Sequence, residues 1–465
     1  MMGACTTVGP DFKSPSAPAG EASGYAAPGD PTPANVRLEA QARVAGPWWL
    51  AFQSPELNEV ISLALATSPT VAEATATLER AQAELNMARG EQRAQADLTA
   101  SARRTRINSR LFGFSNFTPP TINLYSIGSS VSYDLDLFGG GRRATERAAA
   151  MAEVARQEAD AAYLTLSGNV ARQAMMIAAL QAEIGAIEAV IADDRRIFEM
   201  VKRAYAEGGA PLSDAAAAYK LMTDSEASLP RVQRDLATAR HQLALLVGRA
   251  PGTWSAPDFD LHKISAPSEI PVALPSVLLR QRPDILAAEA ELHAATAAIG
   301  VAEASRYPDI QLTATLTQTA TTPESLFGYS GSGWNLFSGL TAPILNGGVL
   351  KARQRAAEAE ARVALARYQH AVLRAFVQVS DGLSDLGADS QTHAADLRSL
   401  AASEATLRTA HAAYAQGGAN MRQVIEVQQE VSRARQVAAR SRGQQLVDLV
   451  ALYAATATDW ATPKP

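Results

Sequence analysis

Few residues in this 465-residue chain are spaced for chemistry. Asp381 and Asp385 lie one helical turn apart, a spacing that offers two carboxylates to a cation, although a solvated helix face explains them as well. Gly139-Gly140-Gly141-Arg142-Arg143 is glycine-rich ahead of a helix, yet it lacks the Gly-Lys-Ser/Thr of a phosphate loop and reads as a strand-to-helix exit. Gly328-Tyr329-Ser330-Gly331-Ser332-Gly333 misses the Gly-x-Ser-x-Gly spacing of a nucleophile elbow and reads as a surface loop. The six histidines are scattered between 241 and 411 without metal-ligand spacing. No catalytic constellation, metal site or cofactor motif is expected.

The lone cysteine, Cys5, cannot form an internal disulfide. It is either an incidental thiol in a frayed terminus or, with the small residues Gly3-Ala4 before it, a lipoprotein processing site. The four preceding residues cannot supply the basic start and apolar stretch of a signal, so the expectation is a removed signal or a late-assigned start.

Composition narrows the elements that hold these residues. The hydrophobic share is 47%, much of it alanine, and aromatics are only 6%, which favours long packed helices. A net charge of -5 argues against nucleic acid as a partner. No run of eighteen apolar residues is present, so no transmembrane helix is expected and any membrane crossing must use β-strands.

The chain states the same pattern twice. Residues 10–47 (within an N-terminal arm, 1–47) are rich in Pro, Gly, Ala and Ser. Three landmark pairs follow at a near-constant separation of roughly 210 residues: Ser68-Pro69 with Arg282-Pro283, Leu137-Phe138-Gly139-Gly140 with Leu345-Asn346-Gly347-Gly348, and Tyr205-Ala206-Glu207-Gly208-Gly209 with Tyr414-Ala415-Gln416-Gly417-Gly418. The expected organisation is a first repeat over 48–247, a connector over 248–275, a second repeat over 276–458 and a tail over 459–465. Each repeat reads helix, strand, strand, long helix, tight turn, helix. Leu180, Ile184, Ile187, Ile191, Asp194, Phe198, Val201 and Tyr205 alternate four and three apart, a coiled-coil seam with one polar member, Asp194. Leu397, Leu400, Leu407, His411 and Tyr414 repeat it. The helical hairpins are expected over about 142–247 and 350–458, with the paired glycines supplying the positive φ of the reversals. From the helices alone, a cytoskeletal or scaffold coiled coil fits equally well.

The strands separate these alternatives. Over 121–138, Tyr125, Ile127, Val131, Tyr133, Leu135 and Leu137 alternate with Ser126, Gly128, Ser130, Ser132, Asp134 and Asp136. Over 309–322, Ile310, Leu312, Ala314 and Leu316 alternate with Gln311, Thr313, Thr315 and Thr317. Residues 333–345 repeat the pattern with Phe337 out of phase, and 97–110 is a weaker fourth strand carrying Arg103, Arg104, Arg106 and Arg110. The pattern fits any half-buried sheet and also a membrane barrel with a wet lumen. Four strands cannot close, and open edges do not survive in lipid, so closure demands several copies. Three would give twelve strands, and four copies also close.

The order of elements, the duplicated halves, the start Cys5-Thr6-Thr7-Val8-Gly9-Pro10-Asp11, the segment Arg282-Pro283-Asp284-Ile285 and the Tyr-x-x-Gly-Gly turns resemble the TolC-like outer-membrane factors, and more closely their OprM/NodT lipoprotein branch. The resemblance covers the chain from Cys5 to about residue 458. It implies a mainly α fold with a β-barrel portion: a homotrimer forming a twelve-stranded outer-membrane barrel and a twelve-helix periplasmic tunnel. It implies a passive export duct for small molecules, working with a periplasmic adaptor (a membrane fusion protein) and an inner-membrane resistance-nodulation-division pump. It implies that Cys5 carries the lipid anchor and that Gly208, Gly209, Gly417 and Gly418 form the periplasmic tips that meet the adaptor. Matching Tyr414 and Gly417 to the family places Glu426 at a gate aspartate, Gln423 at a second, sometimes acidic, gate position and Arg422 at a leucine constriction, so a charged pair stands where the branch has an apolar plug. Arg422 and Glu426 are four apart and can pair, or both can simply face water.

A periplasmic adaptor, the main alternative, has one helical hairpin beside small β domains, whereas two hairpins and amphipathic strand pairs are read here. A scaffold has no use for such strands.

Overall fold

The computed structural model describes residues 7–16, 25, 29–31, 36–39, 47–106, 120–261, 263–265, 267, 270–273 and 278–456. Cys5 and residues 107–110, the end of the expected first strand, lie outside them. Along the chain come β1 (Val36–Glu39), α1 (Pro55–Thr67), α2 (Pro69–Glu91), β2 (Gln95–Arg106), β3 (Thr121–Asp134), α3 (Gly140–Ala206) and α4 (Leu212–Val247). There follow β4 (Ile270–Ala273), α5 (Pro283–Ala304), β5 (Asp309–Ala320), β6 (Ser332–Thr341), α6 (Val349–Ala415) and α7 (Met421–Thr456). Helix α1 starts where Ser54 Oγ accepts the Leu57 N–H, with Pro55 at the first helical position. Both long helices, α3 and α6, have 67 residues.

The chain packs as two compact units, and these do not follow the sequence halves. One unit takes Met1–Pro15, Thr77–Arg156 and Ala287–Tyr368, and the other takes Ser16–Ala76, Gln157–Leu286 and Gln369–Pro465. Each unit therefore draws on both repeats. In the first, the hairpins β2–β3 and β5–β6 join through β3 and β5 into one antiparallel sheet of order β2-β3-β5-β6. Its N-terminal segment is tightly seated. The Val8 N–H donates to Phe138 O, and the nearly buried Arg143 guanidinium donates to Val8 O, Gly9 O, Asp11 and Glu146. Phe12 stacks on His293 at 4.4 Å between centroids. Gly9, at φ 88°, approaches Gly300 so closely that a Cβ on it would lie 2.4 Å from the Gly300 Cα.

The second unit holds α1, α4, α7 and most of α3 and α6, with a two-stranded parallel sheet, β1 with β4. Trp48 and Phe52 are fully buried and both pack on Tyr453, while Trp48 Nε1 donates to Ser167 Oγ. Further along, Ile187 and Ile191 of α3 pack with Val232 of α4. The α3 seam is largely as expected, but it turns outward at Tyr205, which is exposed. The corresponding α6 seam is only partly covered: Leu407 and Tyr414 are half-buried against a core shared with α3, α4 and α7, whereas Leu397 and His411 are exposed.

Several boundaries differ from the sequence expectation. Strand β3 stops at Asp134 because the Asp136 carboxylate turns to accept the N–H groups of Gly141 (3.0 Å) and Arg142 (2.9 Å), which opens α3 at Gly140. Leu135 and Leu137 therefore leave the alternation. Strand β6 ends at Thr341, two residues before Pro343, which has no N–H to give a ladder. Helices α3 and α5 each contain an eighteen-residue stretch long and apolar enough to cross a membrane, contrary to expectation. Both are alanine-rich packing helices, and the α3 stretch is already 44% buried within the single chain.

Candidate functional site

The sheet register decides which side chains share a face, because directly opposed residues of antiparallel strands point the same way. Val131 of β3 opposes Ala96 of β2 and Ala314 of β5, and Ala314 opposes Leu336 of β6. Leu98, Ser129, Leu316 and Trp334 form a second such row, and Tyr133, Leu312 and Ser338 a third. One face thus gathers Leu98, Tyr125, Ile127, Val131, Tyr133, Ile310, Leu312, Leu316, Trp334, Leu336 and Leu340. The other gathers Asp97, Thr99, Ser101, Ser126, Ser130, Ser132, Gln311, Thr313, Thr315, Thr317 and Asn335. Tyr125, Ile127, Val131, Tyr133, Ile310, Leu312 and Leu316, which alternate with polar residues in the sequence, therefore all fall on one face. That face is bare in the single chain, with Trp334 81%, Leu336 75% and Leu98 75% exposed. A contiguous apolar patch of this kind marks a surface that lipid or another chain covers. Phe337, out of phase, lies on the polar face, and its ring covers Gly339 two residues on, 2.6 Å from where a Cβ would stand. The outer strands β2 and β6 each have an unpaired edge.

The two helix reversals are built alike. The Gly208 N–H donates to Tyr205 O at 3.0 Å and the Gly209 N–H to Ala204 O at 2.8 Å; Gly417 and Gly418 do the same to Tyr414 O (3.0 Å) and Ala413 O (2.9 Å). Only the first glycine of each pair takes a positive φ, 77° at Gly208 and 74° at Gly417. The sequence expectation gave this conformation to all four. The second glycine of each pair lies outside the left-handed region, and the next helix begins three residues on, at Leu212 and Met421. Both turns share one core, in which Ile197, Val201, Ala218 and Leu221 pack with Ala410, Met421, Val424 and Ile425.

Arg422, Gln423 and Glu426 all sit on the exposed side of the first turns of α7, opposite buried Met421, Val424 and Ile425. Asn420 Oδ1 accepts the Gln423 N–H at 3.0 Å and so caps the helix. Among the described residues, no ion pair joins Arg422 to Glu426, so the pairing considered from their spacing is not formed within one chain. Two exposed long side chains gain only about 0–1 kcal/mol from such a contact, too little to fix their rotamers.

Sequence reasoning found only half of the acidic cluster. Asp381 and Asp385 are exposed, but Asp389, a further turn along α6, is half-buried and faces the Asp448 carboxyl of α7. Burial and the Asp448 carboxyl push Asp389 up to about 7. The four-residue spacing of 381, 385 and 389 was visible in the sequence, whereas Asp448 was not linked to it by any local signal. The seam residue Asp194 is fully buried, accepts the Ser225 hydroxyl at 2.6 Å, and is pushed up by burial. Among the described residues no group of His, Cys, Asp or Glu is arranged to hold a metal ion.

The profile of the family described as outer membrane efflux protein matches residues 60–249 and 274–458. The chain is 30% identical over 436 residues to the pyoverdine export outer membrane protein OpmQ of Pseudomonas putida, covering 92% of this chain and 91% of that one. It is 26% identical over 461 residues to the probable outer membrane lipoprotein SilC of Salmonella typhimurium, covering 99% and 97%. In fold it is similar to the CmeC outer membrane channel of Campylobacter jejuni, at a TM-score of 0.87 and 18% identity over 99% and 96% of the two chains. An amphipathic sheet with open edges, two matched helical hairpins and a family match across both repeats place this chain in the outer membrane efflux protein family, as the outer-membrane channel component of an efflux system with a TolC-like fold.

Proposed function

We propose that three copies of this chain close into a passive export duct, with a twelve-stranded barrel in the outer membrane and the helical hairpins reaching into the periplasm. The observation that carries this reading is the segregation of the sheet into an apolar and a polar face with both edges free. Pairing β6 of one copy with β2 of the next satisfies every edge, and twelve strands leave an aqueous lumen lined by Ser, Thr, Gln and Asn. The exposed apolar stripe of α6, which includes Leu373, Val377 and Leu397, fits burial against a neighbouring copy. Transport needs no bond-making chemistry, so the duct is not an enzyme and uses no cofactor.

In this reading Gly208, Gly209, Gly417 and Gly418 form the tips that meet a periplasmic adaptor, and an inner-membrane pump of the resistance-nodulation-division class drives transport. Arg422, Gln423 and Glu426 lie at the gate. Cys5 carries the lipid anchor, three residues before Val8, where Arg143 pins the chain beside the β3–α3 junction. The test is conductance of the purified protein in planar bilayers together with the mass of its detergent-resistant oligomer. Discrete channel steps and a three-fold mass are expected, whereas a scaffold or adaptor gives no steps.

A further inference from the structure

We propose that Arg104 and Arg106, at the loop end of β2, bind the phosphate groups of the phosphorylated glycolipid that forms the outer leaflet of the outer membrane. The inference rests on reading the sheet as a membrane barrel. Register places both arginines on the apolar face: Arg104 opposes Asn123 and Arg106 opposes Thr121, in the same alternation as Ala102 with Tyr125 and Ala100 with Ile127. Arg103 lies on the opposite face, directly opposed to Leu124. The lipid-facing side of this hairpin therefore changes along its length from Leu98, Ala100, Ile127 and Tyr125 to Arg104, Arg106, Asn123 and Thr121. That change falls at the end remote from the helices, which is the outer end of the barrel. The opposite end of the same face carries Ala96, Tyr133, Ile310 and Leu340, with no cation.

A charge on the lipid face is costly at the midplane and cheap near the interface, which fits the position of both residues at the strand end. Their own hairpin cannot neutralise them. Between Asp97 and Asp134 the sequence contains Arg103, Arg104, Arg106 and Arg110 and no Asp or Glu at all. Among the described residues neither Arg104 nor Arg106 forms an ion pair, and both are exposed. Two residues apart on one strand face, they stand about 7 Å from each other. Each guanidinium presents a planar fork that grips a phosphate bidentately. The protein thus places cations on only one rim, and the membrane places its phosphate-rich glycolipid in only one leaflet.

The experiment uses the full chain in detergent and measures binding of bisphosphorylated lipid A against its dephosphorylated form. The native protein is expected to prefer the phosphorylated lipid by about tenfold or more, a preference lost in the double variant Arg104→Gln/Arg106→Gln and weakened by salt. Arg103→Gln is expected to retain it. Equal binding of both lipids by the native protein overturns the proposal, as does loss of preference in Arg103→Gln or displacement of the lipid by inorganic phosphate alone. Should the double variant fail to fold, a photoreactive lipid A on the native protein decides: crosslinks on residues 95–106 support the proposal, and crosslinks confined to other strands refute it. Planar-bilayer conductance of the same preparations tests the barrel separately, so a conducting channel without phosphate preference rejects this inference alone.

Discussion

Replacing Leu316 with lysine, and separately its neighbour Thr315 with lysine, puts the same charge one residue apart on opposite faces of β5. Leu316 sits in the row Leu98–Ser129–Leu316–Trp334 and is 55% exposed, whereas Thr315 opposes Ser130 and Asn335 on the polar face. Both lie near the middle of a strand that spans Asp309–Ala320, and hence near the bilayer midplane. A lysine there costs about 2–4 kcal/mol on the lipid face, which is roughly a 30- to 900-fold loss in the folded-to-unfolded ratio per chain. On the lumen face the ammonium stays hydrated, and the change is expected within about 0.5 kcal/mol. The assay is denaturant titration of folding into lipid vesicles at fixed protein-to-lipid ratio. Tryptophan fluorescence is a suitable probe because Trp334, the tryptophan of the sheet, stands directly opposite Leu316. Equal losses at the two positions would refute the assignment of faces, and a larger loss at Thr315 would invert it.

The remaining expectations concern the helices. Gly208→Ala and Gly417→Ala each force a Cβ into the left-handed region and should cost about 1–2 kcal/mol locally, read as faster amide exchange at the turns, whereas Gly209→Ala and Gly418→Ala should be nearly silent. Asp389 binds its proton more tightly folded than unfolded, since its pKa is raised to about 7, so the folded state loses stability as pH rises from about 4 to 7. Asp389→Asn should flatten that slope in thermal melts, and an unchanged slope counts against the Asp389–Asp448 contact. If the exposed charges of α7 act as a latch between copies, Arg422→Ala/Glu426→Ala should raise resting conductance while oligomers still form; unchanged conductance leaves them as solvated surface.

The sequence by itself determined the periodicities. The four–three spacing from Leu180 to Val201 dictated a packed helix, and alternation in 121–134 and 309–320 dictated two-faced strands, because both patterns are local and repeat at every residue. The duplicated Tyr-x-x-Gly-Gly segments likewise marked both reversals, since positive φ is a local demand that glycine meets most cheaply. Tertiary structure alone decided what meets what. Only the β3–β5 register aligned the apolar sides of hairpins nearly 200 residues apart in sequence into one continuous face, and placed Arg104 and Arg106 on it with Arg103 opposite. Only helix packing brought Asp448 to Asp389, buried Asp194 against Ser225, and seated Val8 and Gly9 on Arg143. These contacts depend on the spatial course of distant segments, which no local spacing encodes, and they turn a periodic chain into a sheet with an inside and an outside.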